Sequence, residues 1–574
     1  MTTPSLLDTL LRAGVIRGVD HALGQALRRH APATHPLVAA GAALAAQAVD
    51  AGHAAFDPAR RPALPDGIAW PAPAHWHEAW RADTRWTAHP RAGDASDALP
   101  LVHEHGLLYL RRYREYERDL ARGLHRIAAH DAPQADVAAA RDALFPAGGD
   151  DDQRAAADAA LAHALLVVTG GPGTGKTTTV ARVLALLVAQ AFALGRPAPR
   201  IALAAPTGRA AERMAASLRR AREAMRGDPA VDPRLPEALP VHASTLHRLL
   251  GPIRDSARFR HDAAHPLPAD VVVVDEASMV DLPMMAKLVD AIGPGTRLLL
   301  LGDADQLPSV DAGDVLAALV DAAGAGANIA HVHLRRGWRQ AGGFELAPLS
   351  AALRAGEADR ALALLRGGAL QGVAFDGDAH DVLEVPGLLA HFAALRGMDD
   401  PAAALAHADA LRVLTAVRAG PQGAVSINAR IARALHGPAH ALHFAGRLLL
   451  VTANSPRHGL SNGDIGVCLP DGADRLAAWF AGPDGPRAFD PAGLPPHESA
   501  FASTVHKAQG SEHDHVVLQL PARDARVASR ALLYTAATRA RGSLRVRGGE
   551  AVLRAALARA DRRTSALAAR LTRG

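Results

Sequence analysis

The sequence predicts an α/β chain organised around parallel strands, and three observations carry that prediction. Short apolar runs at 165–169, 201–205, 271–274 and 298–301 alternate with helical stretches, and each run ends at polar residues. Such runs are strands buried on both faces of a parallel sheet, with function gathered at their C-terminal ends. The first run leads into Gly170-Gly171-Pro172-Gly173-Thr174-Gly175-Lys176-Thr177, the pattern of a phosphate-binding loop, and the stretch 177–193 after it is helical. The third run, four valines, delivers Asp275 and Glu276 to its end, about 100 residues beyond the loop.

Ahead of this region, residues 1 to about 145 read as helical and rich in Ala, Leu and Arg, loosened by a proline-rich stretch over 58–90. Four of the six tryptophans, Trp70, Trp76, Trp80 and Trp86, lie in that stretch. Tyr109, Tyr113 and Tyr116 follow at i, i+4 and i+7, the spacing of one helix face. The plain reading is a small helical domain with an aromatic core. The sharper one is a docking face for a partner protein, because exposed aromatics anchor interfaces. The turn-rich segment 146–152 reads as a linker. A run at 412–416 begins a second α/β region, to which 516–520 returns as a core strand. Between them, 436–500 is rich in Gly and Pro with short strand signals at 448–452 and 466–469, predicting a small β insertion. The expected division is an N-terminal helical partner-binding domain (1–146), a first ATPase domain (147–342) and a second α/β domain (343–574) carrying the insertion.

The chemistry follows from residue types at the strand ends. Of the 63 basic residues only three are lysines, Lys176, Lys287 and Lys507. A lysine kept amid so much arginine points to a place where a planar guanidinium fits poorly, and Lys176 sits in the phosphate loop. Backbone N–H groups of Gly170, Gly171, Pro172's neighbours, Gly173, Thr174 and Gly175 are expected to cradle phosphates, with Lys176 on the β- and γ-oxygens and Thr178 following at the helix start. Thr177 is expected to ligate Mg²⁺ through its hydroxyl, and Asp275 to hold the same ion through water. Glu276 is the candidate general base for the attacking water. Gln306, after the run 298–301 in Gly302-Asp303-Ala304-Asp305-Gln306, is placed to touch the γ-phosphate or that water. Arg339 and Arg539 are the candidates for stabilising transition-state charge across a cleft. Lys287 reads as surface.

Composition excludes several other classes. The content is 49% hydrophobic and 21% charged, as for an ordinary soluble protein of several domains. Apolar stretches are too short to span a bilayer, and 1–5 lacks the basic and apolar regions of a signal peptide. Cys468, the single cysteine, excludes an intrachain disulfide and a cysteine-rich metal site, which suits the cytoplasm. A net charge of +5 is small for 574 residues, so a nucleic-acid surface must be a local groove.

The ordered set of motifs resembles the superfamily 1 helicases. The residues that carry the likeness are Gln153, Gly170 to Thr177, Ala205-Pro206-Thr207-Gly208-Arg209-Ala210-Ala211, Ser244-Thr245-Leu246-His247, Asp275-Glu276-Ala277-Ser278, Gly302 to Gln306, Trp338-Arg339-Gln340, Thr504 to Glu512 and Tyr534 to Arg541. More narrowly, Pro206 to Ala211, Asn462-Gly463-Asp464-Ile465-Gly466 and, less specifically, Leu107 to Tyr113 are similar to the RecD family, subunits of exodeoxyribonuclease V (RecBCD) complexes. The resemblance implies two RecA-like P-loop motor domains with an N-terminal helical domain and a small β insertion in the second motor domain. It implies that Gln153 reads adenine, and that Gly510 and Glu512 couple the nucleotide to the DNA groove. Pro206, Thr207, Arg209, Thr245, His247, Thr504 and His506 would line that groove, and Lys507 would contact DNA or a phosphate-side carboxylate or else stay solvated. It further implies 5′→3′ travel on single-stranded DNA entered from duplex ends, with RecB-like and RecC-like partners. The other readings are a stand-alone RecD-like helicase, or a regulatory subunit with a minor motor role. A nuclease centre in this chain is not expected, because no additional cluster of carboxylates with lysine accompanies the motor motifs.

Overall fold

The computed structural model describes residues 5–62, 64, 68–90, 98–130, 132–146, 148–337, 344–377, 381–438, 441–472, 475–482, 485–560 and 562–573. Helices Leu6–Arg12, Gly18–His30, Pro36–Asp50 and Pro73–Ala82 bury Leu7, Leu10, Leu27, Val38, Leu44, Trp76 and Trp80 in one core. Phe56 stands edge-on to Trp70, Trp76 and Trp80 at 6.2, 5.4 and 6.0 Å between ring centres. These aromatics are thus core, the plainer of the two readings of the sequence.

Against expectation, this domain also carries a sheet. Strand β1 (Thr87–Ala88) pairs parallel with β2 (Leu101–Glu104), which pairs antiparallel with β3 (Leu107–Leu110). The hairpin turns on His105 and Gly106, both with positive φ (54° and 75°). Tyr109 therefore lies on β3, fully buried, while Tyr113 and Tyr116 lie on the helix Arg111–Ala128. The helical spacing of the three tyrosines was a coincidence that strand pairing overrode. The presumed linker is also shorter than expected: Asp150 caps the helix Asp151–Ala162 by accepting from the N–H groups of Asp152 and Gln153.

The first motor lobe is a parallel six-stranded sheet built from β4 (Leu165–Gly170), β5 (Ile201–Ala205), β6 (Ser244–Thr245), β7 (Val271–Val274), β8 (Arg297–Gly302) and β9 (Ala330–Leu334). Its order is β6-β5-β7-β8-β4-β9. Alternate residues serve opposite faces: Leu165, Val167, Val272 and Val274 enter one core, and Leu166, Val168, Val271 and Val273 the other. That double burial is why these strands read as unbroken apolar runs. Among the described residues one helix, Lys176–Ala193, matches a bilayer span in length and apolarity; its Val180, Leu184 and Leu187 are buried in the second of those cores.

The second lobe is a parallel sheet of β10 (Val373–Phe375), β11 (Leu411–Thr415), β17 (Ala502–Thr504), β18 (His513–Gln519) and β19 (Ala540–Arg547), in the order β10-β19-β18-β11-β17. Between the helix Ala424–His436 and β17 comes an antiparallel five-stranded sheet: β12 (Leu448–Val451), β13 (Ile465–Pro470), β14 (Leu476–Phe480), β15 (Arg487–Phe489) and β16 (His497–Ser499).

Where the expected division keeps everything beyond 343 with this lobe, the end of the chain departs from it. After the helix Glu550–Ala558, Arg563 donates to the carbonyls of Ser309, Asp311 and Gly313 in the first lobe. The helix Leu567–Thr572 then packs against the helices Val315–Gly324 and Arg111–Ala128. Glu117, fully buried, accepts from Tyr109 Oη (3.1 Å), Ser565 Oγ (2.8 Å), Ala566 N (3.2 Å) and Arg570 Nε (3.0 Å). Arg570 also pairs with Glu104 at 2.6 Å, and Glu104 with Arg114 at 2.8 Å. A buried carboxylate needs a cation and several donors, and the tail supplies them.

Candidate nucleotide cleft and DNA-facing edge

The phosphate loop joins β4 to the helix Lys176–Ala193. Gly173 and Gly175 hold φ of 78° and 82°, which turn successive N–H groups toward one point. A Cβ on Gly170 would lie 2.8 Å from the Leu334 carbonyl on neighbouring β9, so this position admits glycine only. Thr174 Oγ1 braces the loop on the Gly171 carbonyl (2.9 Å), and Lys176 Nζ donates to the carbonyls of Gly170 and Gly171 at 2.6 and 3.0 Å.

The loop opens into a cleft of about 500 Å³ whose lining includes Pro172, Gly173, Gly175, Lys176, Thr177, Thr178, Asp275, Glu276 and Gln306 from the first lobe. Burial, with the neighbouring Glu276 carboxylate, pushes the Asp275 pKa up to about 6, against the pull of Lys176. Glu276 has a left-handed backbone (φ 52°), which costs energy for a residue with a side chain and is common at functional positions. The donor set of Thr177 hydroxyl and Asp275 carboxylate, all hard oxygen, fits Mg²⁺, and a dication there would favour the ionised Asp275. Gln306 is buried, and its Nε2 donates to Asp303 Oδ2 at 3.1 Å.

The second lobe closes the same cleft with Ser511, Glu512 and Arg539. Arg539 is buried and donates to the carbonyls of Thr535 (3.1 Å) and Ser511 (3.2 Å); burial lowers its pKa, opposed by Glu276 and Glu512. Gly510 takes φ 72° in the turn before Glu512. Gln153 lines an adjoining hollow of about 470 Å³ with Phe145, Pro146, Thr178 and Arg182, which opens beside the loop at Gly173 and Gly175. Arg339 lies outside the described residues.

Sequence reasoning missed two lobe-to-lobe bridges. Arg213 Nη2 meets Glu512 Oε1 at 3.2 Å and its other nitrogen donates to the Gly510 carbonyl. Arg209 pairs with Asp409 at 2.9 Å. Burial would raise the Asp409 pKa, but the His513 hydrogen bond and the Arg209 charge hold it well below the usual carboxylate range. Arg209, expected at the DNA groove, also lines the nucleotide cleft. Both arginines sit on the helix Gly208–Arg226 one turn apart, and that i, i+4 pairing was the only local signal of a shared face.

The remaining DNA candidates gather at the sheet edges. Thr207 follows Pro206 at the end of β5 and caps its helix, and Thr245 ends β6 and caps the helix Leu246–Leu250. Thr504 ends β17 and accepts from Lys507 N (3.4 Å). Strands β6 and β17 are the edge strands of their sheets, so each lobe presents a threonine-capped turn at its rim. His247 is exposed and packs edge-on against Phe259 (5.8 Å), and His506 opens the turn His506–Ala508. Lys507 pairs with Glu498 on β16 at 2.5 Å, a carboxylate of the insertion and not of the phosphate side. Lys287 is no plain surface residue: its ammonium lies 5.2 Å from the Phe259 ring and 6.0 Å from that of Tyr116. A Cβ on Gly208 would lie 2.8 Å from Ser461 Oγ, so the segment 206–211 abuts the insertion immediately before Asn462-Gly463-Asp464.

Comparison with known proteins agrees along the chain. Residues 12–109 match the N-terminal domain of the RecBCD enzyme subunit RecD, 153–312 an AAA domain, and 499–546 the UvrD-like helicase C-terminal domain. The RecBCD enzyme subunit RecD of Mycobacterium tuberculosis is 42% identical over 98% of this chain and 96% of its own length. That of Mycolicibacterium smegmatis is 40% identical over 99% of both. The ATP-dependent RecD2 DNA helicase of Deinococcus radiodurans is 32% identical over 81% of this chain and 59% of its own length. The phosphate loop, the Asp-Glu strand end, the facing Arg539 and the likeness over nearly the whole length of RecD subunits lead to one conclusion: this chain belongs to the RecD family of superfamily 1 DNA helicases.

Proposed function

We propose that this protein is the ATP-driven 5′→3′ helicase subunit of a RecBCD-type helicase–nuclease that processes broken DNA ends in the cytoplasm, working with RecB-like and RecC-like subunits. The observation that carries the reading is the cleft itself. Lys176, Asp275, Glu276 and Gln306 on one lobe face Arg539 and Glu512 on the other, so hydrolysis requires both walls.

Each residue has a defined task in this reading. Lys176 exchanges the loop carbonyls it now holds for the β- and γ-oxygens of ATP. Gln153 receives the base in the adjoining hollow. Thr177 and Asp275 hold Mg²⁺, which supplies positive charge across the phosphates when bound. Glu276 accepts a proton from the attacking water and Gln306 orients that water. Arg539, with Arg339, offsets the charge that develops on the transferred phosphoryl group. On the far edge, Thr207, Thr245, Thr504, His247 and His506 contact the strand through its phosphates and bases. Such contacts carry no sequence information, as an enzyme moving over any sequence needs. Relative motion of the lobes then advances one rim threonine against the other. Nuclease activity belongs to a partner subunit.

The regulatory reading is weaker, because a mainly regulatory subunit has no need of an intact Lys176, Asp275, Glu276 and Arg539 in one cleft. The stand-alone reading is weaker because the likeness takes in 96% of a RecBCD subunit but 59% of the RecD2 helicase. Strand separation on duplexes with a single 5′ or 3′ tail tests the proposal. Unwinding from the 5′ tail alone is expected; unwinding from the 3′ tail alone would overturn the polarity. ATPase activity indifferent to single-stranded DNA would overturn the motor.

A further inference from the structure

Beyond the residues that face the nucleotide, one buried carboxylate joins the two lobes behind Gln306. Asp303 is 2% exposed, and its Oδ2 accepts from Gln306 Nε2 at 3.1 Å and from Tyr534 Oη at 2.9 Å. Its other oxygen accepts from Asp305 N at 3.1 Å. Gln306 and Asp303 belong to the first lobe; Tyr534 belongs to the helix Arg530–Ala537 of the second. The hydroxyl also lies against the phosphate loop, since a Cβ on Gly171 would be 3.2 Å from it. Three more second-lobe side chains hold the same segment. Thr535 Oγ1 accepts from Leu307 N (2.8 Å), Gln509 Nε2 donates to the Leu307 carbonyl (2.8 Å), and Arg354 pairs with Asp305 (3.3 Å).

We propose that Tyr534 is a positioning residue for hydrolysis: through Asp303 it sets the orientation of the Gln306 amide, so that Gln306 is aligned only while the second lobe is seated. The reason lies in how a shared acceptor behaves. Asp303 Oδ2 is held at one point by two donors, and a buried carboxylate that loses one of them turns toward whatever donor remains. Withdrawal of Tyr534 as the lobes part therefore lets the carboxylate rotate, and the Gln306 amide bonded to it turns out of alignment with it. The device makes hydrolysis depend on lobe position without Tyr534 touching the nucleotide. It rests on the reading of Gln306 as a hydrolytic residue.

The test is a cycle of four full-length proteins (wild type, Tyr534→Phe, Gln306→Ala and the double variant) assayed for ATP turnover with single-stranded DNA. Tyr534→Phe removes one oxygen and is expected to lower kcat about tenfold, the scale of one lost buried hydrogen bond, with KM for ATP within about twofold. In the Gln306→Ala background the same change is expected to cost nothing further. An unchanged kcat in Tyr534→Phe, a rise in KM alone, or full additivity in the double variant overturns the proposal. Normal kcat in Gln306→Ala removes the reading of Gln306 and the route through it together, a result distinct from additivity. If Tyr534→Phe does not fold, Asp303→Asn with Gln306→Ala forms the same cycle, and additivity there overturns the proposal equally.

Discussion

Two joints hold this molecule together, and they are built differently. In the cleft between the motor lobes, the ionic bridges are partly exposed. The side chains of Arg213 and Glu512 are 38% and 12% exposed, and those of Arg209 and Asp409 are 27% and 40%. Buried contacts across the cleft pair a charged or backbone group with an uncharged side chain, as at Tyr534, Thr535 and Gln509. The joint between the N-terminal domain and the first lobe is instead an apolar packing of the helix Arg111–Ala128 on the helix Leu282–Asp290, to which the returning tail adds a buried ionic cluster around Glu117 at 0%, Arg570 at 10% and Arg114 at 4% exposure. Solvated pairs cost little to separate, and buried ones cost several times more. The first joint is thus suited to open in every catalytic cycle. The second ties the N-terminal domain, the first lobe and the tail into one body, which the proposed motion of the second lobe would use as its base.

The largest expected effect tests whether the cleft can lose its chemistry without loss of structure. Lys176→Ala removes an ammonium that donates to the loop's own carbonyls, so turnover should fall by at least about 10³-fold, roughly 4 kcal/mol, with the unfolding profile unchanged. Retained DNA-stimulated ATPase would show that the chemistry lies elsewhere. The next effect is the converse. Arg570→Ala leaves Glu117 and Glu104 short of their shared cation and should cost about 3 kcal/mol in the stability of the N-terminal domain. Trp76 and Trp80, in that domain's core, report its unfolding in denaturant by fluorescence. An unmoved midpoint would mean that the tail contributes no more than a surface pair, and the contrast between the joints would fail.

What could be read in advance divides along the same line. The central strands were legible because burial on both faces leaves an unbroken apolar signature, as in Val271 to Val274. Lys176, Asp275, Glu276, Gln306 and Arg539 were legible because each closes a local motif, and the structure brings all five to one cleft. Arg213, Asp409 and Asp303 were not, because their roles exist only in pairing with residues some 200 to 300 positions away, and one arginine among 60 carries no mark of its partner. The same holds for the tail. The helix Leu567–Thr572 is six residues of ordinary composition, and distant partners, the buried Glu117 and the helix Val315–Gly324, give it a place. Tyr109 shows the opposite hazard, where helical spacing in sequence was overridden by a hairpin.

The smallest effect expected bears most directly on how the cleft opens. Arg213 and Glu512 form a partly solvated bridge, so their coupling in stability should be about 0.5–1 kcal/mol and should fade as salt is raised. Its kinetic consequence should exceed that figure in reach, because Glu512 belongs to the segment proposed to link the nucleotide to a DNA contact at Thr504. Entry of a triphosphate offers Arg213 a stronger anion than a carboxylate, which would release Glu512 and Gly510 from the first lobe. Arg213→Ala should therefore raise ATP turnover in the absence of DNA relative to turnover in its presence, narrowing the ratio of stimulated to basal rate severalfold. Glu512→Ala should narrow it similarly, and the double variant no further. If the two single changes multiply, the bridge is incidental to coupling, and the cleft must be timed by its buried contacts alone.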